Sequence, residues 1–328
     1  MACLAVAAAA VAEAVARRPV LLLAGICLWA ALPMVLTRSL TDLLVFAGIY
    51  TIAGLGVGLL LGYCGIVNLA QAVFYGIGAY STAYLTVEMG APSIAGFAVG
   101  AVVSMAIALL IGWPILRLTG HFLALATLAL SIIGSALFFE WDWLTGGTLG
   151  IGGIPKLGMG GFSLDTPARF YYLVWFLAFA CMLLVRNLST SRTGLMLRAT
   201  RDSIEAASSL GIDLRWLRTR VFVVCALFGS LAGSLFAHYT SFVSVEGFTV
   251  TKSFSFLVIS VLGGVQSVFG PMVGALFITF MPEYLSRFGD IHQVLFGLAL
   301  VGVVVGLQGG LVGGLQIIWR KLMHPGRG

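Results

Sequence analysis

Lysine is almost missing from this chain: Lys156, Lys252 and Lys321 are the whole supply, and none follows a glycine. A P-loop requires Gly-Lys followed by Ser or Thr, because its amides cradle phosphates while the lysine neutralises them. The chain is therefore expected to hold no nucleotide site of its own. Histidine is as scarce. His121, His238, His292 and His324 form no His-Glu-x-x-His pattern and no close pair, so metal chemistry finds no ligand set. The cysteines, Cys3, Cys27, Cys64, Cys181 and Cys225, are odd in number, scattered and without Cys-x-x-Cys spacing. They read as small core residues rather than as a disulfide or metal framework.

Charge is scarce overall, at 9% of residues, and what replaces it is apolar: hydrophobic residues make up 60% of the 328. Soluble globular chains hold about 45–50%, so this is an integral membrane protein. Its formal charge of +6 would suggest a nucleic-acid partner in a soluble chain. Here most of the excess falls in loops and termini, where the positive-inside rule accounts for it.

The apolar runs predict an all-α polytopic protein, a single transmembrane domain over 1–328. Pro19 to Leu36 follows Arg17 and Arg18 and fits a retained first span with a cytoplasmic N-terminus better than a signal peptide. Leu40 to Leu61 leads without a charged loop into a glycine-rich stretch, 62–80, that holds Asn68 and Gln71. Irregular backbone at membrane depth is tolerated only where protein buries it or a cavity receives it; small residues also let helices pack closely, and both readings stand here. Pro92 to Leu116 and His121 to Phe139 follow. The segment 140–169 is rich in glycine, with Trp141 and Trp143, and faces outward by parity. Phe170 to Val185, Val221 to Tyr239 and Ile291 to Ile318 are further crossings. Between the last two, 254–280 is interrupted at Gly263, Gly264, Gln266 and Gly270-Pro271, as in a re-entrant or broken helix pair. The total is about eight crossings plus that pair, with both termini cytoplasmic. Interrupted segments at loosely matching places in two halves are expected of internal repeats flanking a substrate path.

One island breaks the apolar pattern. From Arg186 to Arg220 there are seven arginines against Asp202, Glu205 and Asp213. Burying seven arginines in lipid would cost about 17–25 kcal/mol, at roughly 2.5–3.5 each. The segment 187–220 therefore lies in water on the cytoplasmic side. Asp202 and Glu205 have capping-box spacing, and Gly211 suits a helix end, which predicts a helix of about eight residues. So short a helix needs packing, on this chain or on a partner. Arginine-rich loops also serve simply to fix topology, and that reading stands beside the functional one.

Glu205-Ala206-Ala207, with Gly211 four places on, resembles the EAA-x-x-x-G segment by which ABC importer permeases dock on a cytoplasmic ATPase. Five stretches then occur in one family's order: GYCGIVNLAQAVFYGIGAY at 62–80, ATLAL at 126–130, WDWLTGGTLGIGGIP at 141–155, SRTGLMLRATRDSIEAASSLGI at 191–212 and VLGGVQSVFGPMVGA at 261–275. With them the chain resembles the LivM-type permease subunits of branched-chain amino acid ABC importers, over roughly 40–310.

The resemblance implies that Glu205, Ala206, Ala207 and Gly211 belong to an ATPase-coupling helix, and the neighbouring charged residues Arg201 and Asp202 are expected to act with them. A substrate path is expected near Gly62, Gly65, Gly76, Gly263 and Gly264, which the resemblance places in the family's two glycine-rich segments, and near the polar residues Asn68, Gln71 and Gln266 that interrupt those segments. The implied partners are a second related permease, two cytoplasmic P-loop ATPases that bind the ATP and Mg, and a periplasmic binding protein, all at a bacterial inner membrane. No cofactor belongs to this chain. The family often has Ser, Gly and His where Asn68, Ala70 and Gln71 stand, and a carboxylate at the place of Ile132. These departures leave urea, short amides and aromatic acids open beside leucine, isoleucine and valine.

Two other classes stand against the importer. An ion-coupled secondary transporter needs ionisable relays inside the membrane, whereas Glu88, Glu140, Glu246 and Glu283 all fall near span ends. An intramembrane serine protease needs a base within reach of its nucleophile; Ser234 is one turn from His238, but no Gly-x-Ser-Gly signature accompanies them.

Overall fold

The computed structural model describes residues 29, 32–33, 36–159, 162–286, 292–306 and 309–314. Arg17, Arg18, Arg320, Lys321, Arg327 and most of the expected first span lie outside the described residues. Within them the chain runs α1 (Arg38–Cys64), α2 (Gln71–Val87), α3 (Ser93–Ile115), α4 (His121–Glu140), α5 (Asp142–Thr145), α6 (Pro167–Thr190), α7 (Arg192–Asp202), α8 (Ile204–Ser209), α9 (Leu214–Thr240), α10 (Val250–Gly263), α11 (Gly270–Leu285) and α12 (His292–Gly306). Five of these, α1, α3, α4, α6 and α9, are long and apolar enough to cross a membrane.

Hydrophobicity alone does not sort these helices, because lipid and protein interior are both apolar. Burial does. The apolar window of α1 is 83% buried and that of α9 72%, against 22% for α3 and 33% for α4. α1 is therefore the central pillar, with α6, α9 and the α10–α11 pair packed around it, while α3 and α4 are peripheral.

Small residues set the closest crossings, since without a hydrophobic drive between helices in lipid, packing contact holds them together. α2 lies against α9 at backbone distance: a Cβ on Gly78 would fall 2.1 Å from the Ser230 carbonyl oxygen, and one on Gly233 1.8 Å from that of Tyr75. Ser234 Oγ donates to the Gly78 carbonyl across the same crossing at 3.0 Å. Gly76 and Gly78 therefore sit inside a regular helix as packing positions, and the irregular backbone expected over 62–80 is confined to 65–70.

Short strands organise the end of the molecule opposite the arginine island. β1 (Ile151–Gly152) pairs antiparallel with β4 (Phe242–Val243), tying the glycine-rich segment to the end of α9, and β2 (Gly158–Met159) pairs with β3 (Phe162–Ser163). Thr145 Oγ1 donates to the Phe138 carbonyl at 2.8 Å and receives the Gly147 amide at 3.1 Å, which secures the turn that leaves α4.

Candidate functional site

The arginine island forms two helices, not one. Ser203 adopts an extended conformation, φ −155° and ψ 115°, and separates α7 from α8. Its hydroxyl accepts the Ala206 amide at 3.2 Å. Ser203, not Asp202, is the N-cap, and α8 spans 6 residues rather than about eight. Asp202 instead closes α7. Gly211 follows with φ 76°, the left-handed geometry its position suggests, and Asp213 then caps α9 by accepting the Trp216 amide at 3.1 Å.

α8 is held by little. Ala207 is 1% exposed and its carbonyl receives the Ile212 amide at 3.3 Å. Glu205 and Ala206 are exposed, as are Ile204 and Leu210, the last at 78%. An apolar tip this open, on a helix too short to stand alone, is a surface shaped for a partner.

Arg201, at the end of α7, joins this surface to the core. Its Nη1 donates to the Gly62 carbonyl at 2.7 Å. With the Gln266 amide turned so that its oxygen faces the guanidinium, that oxygen accepts from Nη1 at 3.2 Å and from Nη2 at 3.0 Å. Gly65, in left-handed conformation at φ 68°, lets the Arg201 stem pass: a Cβ there would lie 3.3 Å from Arg201 Cγ. Gly62 also meets the second break directly, a Cβ there falling 1.9 Å from the Val265 carbonyl oxygen. Arg201, Gly62, Gly65 and Gln266, spread over three stretches of sequence, thus form one junction.

Asn68 and Gln71 lie elsewhere. Gln71 Nε2 donates to the Ala53 carbonyl at 3.1 Å and to that of Cys225 at 3.2 Å. Ala53 is 11 positions before Cys64, the last residue of α1, so the non-helical 65–70 climbs back about 16 Å along α1, at 1.5 Å per residue, before α2 begins. α2 therefore starts at membrane depth, where free amides are costly. Side chains satisfy them: Asn68 Oδ1 receives Ala70 N at 2.9 Å, Thr127 Oγ1 receives Leu69 N at 3.2 Å, and Ser253 Oγ receives Ala72 N at 2.9 Å. Cys225 Sγ donates to Gln71 Oε1 at 2.9 Å and accepts from Asn68 Nδ2 at 3.3 Å. Asn68 and Gln71 are fully buried and engaged with the protein. Thr127, Ser253 and Cys225 belong to this cluster, and no local pattern marks them out.

Gly263 and Gly264 occupy the break between α10 and α11. A Cβ on Gly263 would lie 1.7 Å from the Gly270 carbonyl oxygen, and Gly264 at φ 114° abuts the Gly309 carbonyl. The serine and histidine considered as a protease pair do not meet: Ser234 is bonded to Gly78, and His238 Nδ1 lies 2.8 Å from the Pro155 carbonyl oxygen.

The sequence that builds this arrangement matches a known family. Residues 39–316 match the profile of the permease component of branched-chain amino acid transport systems. The chain belongs to this permease family. It is 31% identical to the high-affinity branched-chain amino acid transport system permease protein LivM of Escherichia coli (strain K12), over 93% of this chain and 74% of that one. Similarity to the LivH permease protein of the same organism is 27% identity over 69% of this chain and 78% of LivH. A probable LivM of Methanocaldococcus jannaschii is 25% identical over 71% of this chain and 77% of its own length. Membership of this family makes the chain a multi-pass membrane permease subunit, and the ion-coupled carrier and protease readings give way to it.

Proposed function

We propose that this chain is one half of the pore of an ABC importer in the bacterial inner membrane, with its N- and C-termini cytoplasmic. Its cargo is a branched-chain amino acid, the solute named in its relatives LivM and LivH. A second permease related to LivH completes the pore, two cytoplasmic P-loop ATPases bind the ATP and Mg, and a periplasmic binding protein delivers the solute to the outward face around 140–169.

The observation that carries this reading is α8, an exposed six-residue helix wedged between α7, which holds the two breaks through Arg201, and α9, which runs directly into the core. Closure of the ATPases presses on α8, and the rigid connection through Gly211 and Asp213 tilts α9. Through Arg201 the same movement pulls on 62–65 and 264–266.

The test is ATP-dependent uptake of labelled leucine by vesicles holding the transporter, with recovery of bound ATPases measured alongside. Glu205→Lys reverses an exposed charge on α8, so the chain is expected to fold while ATPases and uptake are both lost. Normal uptake by this variant would count against α8 as the coupling helix. Wild-type protein that brings down no ATPase under mild extraction would sink the importer reading itself.

A further inference from the structure

Beside the junction, between the end of α3 and the start of α9, lies a cavity of about 300 Å3 lined in part by Leu116, Arg117, Ile204, Asp213, Arg215 and Arg218. Three cations face one carboxylate, and Asp213 already accepts the Trp216 amide. Among the described residues none of the three guanidinium groups has a hydrogen bond or an ion pair, and Arg218, 5% exposed, has its Nε buried without a partner. Buried polar groups are bonded in nearly all native structures, and an uncompensated buried charge is strongly destabilising. The cavity calls for an anion with several acceptor oxygens.

Its surroundings say which kind. Arg117 follows directly on the apolar span α3, so the cavity opens at the membrane boundary. Trp113 and Trp216, close in sequence to the lining residues Leu116 and Arg215, have ring centroids 5.9 Å apart and are 38% and 39% exposed, and the Arg220 guanidinium lies 4.7 Å from the Trp216 ring. Paired indoles at this height are typical of the headgroup layer. Basic pockets between spans on the cytoplasmic side suit the headgroups of anionic lipids.

We propose that this cavity binds the phosphate of an anionic phospholipid of the cytoplasmic leaflet through Arg117, Arg215 and Arg218. Because Ile204, the first residue of α8, forms part of its wall, the bound lipid steadies the coupling helix against the membrane boundary. The proposal rests on the membrane orientation given above, and its readout is independent of transport.

The assembled transporter, stripped of lipid in mild detergent and titrated with phosphatidylglycerol, is followed by native mass spectrometry. Arg117→Gln and Arg215→Gln alter exposed side chains and spare the fold more surely than changes at buried Arg218. Wild type is expected to retain phosphatidylglycerol in preference to phosphatidylcholine, and each substitution to weaken that retention about fivefold with the ATPases still bound. Equal retention by wild type and both variants overturns the proposal. Uptake of inorganic phosphate by a wild type that retains no lipid assigns the cavity to a free phosphate and overturns it too. Loss of ATPases from the variants with lipid retention unchanged assigns the arginines to the protein partner and likewise overturns it. A wild type recovered without ATPases defeats the importer reading, while its lipid retention still decides the cavity's ligand.

Discussion

Nη1 of Arg201 donates to the main-chain carbonyl of Gly62 at 2.7 Å, across 139 positions of sequence. Gly62 is in the last turn of α1, the most enclosed of the five long apolar helices, and it also abuts Val265 in the break of the other helix pair. One guanidinium thus gathers the exits of the central pillar and of the broken pair, and hangs both on the short helix that faces the partner. A planar fork with five donors in fixed directions is suited to this, because it can serve a carbonyl and an amide oxygen together.

Arg201→Gln is expected to leave the ATPases bound and hydrolysing, since Arg201 lies outside α8, while uptake per ATP falls. Charge-assisted hydrogen bonds contribute about 1.5–3 kcal/mol each, so a loss of coupling of roughly tenfold or more follows. Arg201→Lys should recover little, because a point charge cannot span both acceptors. Parallel assays of ATP hydrolysis and leucine uptake in proteoliposomes check this. Equal loss of both activities would mean that Arg201 acts in assembly and not in transmission.

Gly62→Ala is expected to destabilise the permease by about 1–3 kcal/mol, the usual cost of overpacking, because the new methyl group would strike the Val265 carbonyl. Gly297→Ala on α12, where a Cβ meets nothing within 4 Å, is the matched control and should be neutral. Thermal unfolding in detergent, followed by the loss of the monodisperse peak, separates the two. Matching midpoints would show that the two breaks do not press together at Gly62.

Much of this arrangement was legible in the sequence. The runs expected at 40–61, 92–116, 121–139 and 221–239 became α1, α3, α4 and α9, and both interruptions fall within the segments where glycine, proline and amide residues cluster. What was not legible has a common cause. Gly76 and Gly78 look like the glycines of a break, yet Gly78 serves the crossing with α9 and Gly76 makes room for the Phe138 and Phe248 rings, and only the partner distinguishes these uses from a break. Asn68 and Gln71 suggest a polar path, but the amides they serve exist only because 65–70 folds back along α1. Cys225 and Ser253, more than 150 and 180 positions from their partners in this cluster, carry no local sign of it. Asp202 and Ser203 are both good caps, and one residue of register decided between them.

Cys225 offers a direct probe of the Asn68–Gln71 cluster. It is fully buried, so a water-soluble maleimide should label it only after denaturation. Cys225→Ser keeps a donor for Gln71 Oε1 and is expected to be tolerated, whereas Cys225→Val leaves that oxygen only the longer bond from Asn68 Nδ2, at 3.5 Å, and takes an acceptor from Asn68, at a cost of about 1–3 kcal/mol. The thermal midpoints of the two variants check the order. Rapid labelling in the native state would instead mean that water reaches this cluster, as it would if Asn68 and Gln71 line the path.

The capping of α8 can be tested at neighbouring residues. Ser203→Ala removes the acceptor of the Ala206 amide, and loss of an N-cap costs about 1 kcal/mol. On a helix of 6 residues that is a large share of what keeps it formed, and a frayed α8 presents Glu205, Ile204 and Leu210 in no fixed arrangement. Ser203→Ala is therefore expected to weaken ATPase binding by about fivefold, and Ser203→Asp to preserve it, because aspartate caps equally well. Asp202→Ala should have little effect on α8, since this side chain caps nothing there. Affinity of the ATPases for the immobilised permease reads all three variants. If Asp202→Ala matches Ser203→Ala, the capping role passes back to Asp202 and the extended geometry at Ser203 is not what orients the coupling helix.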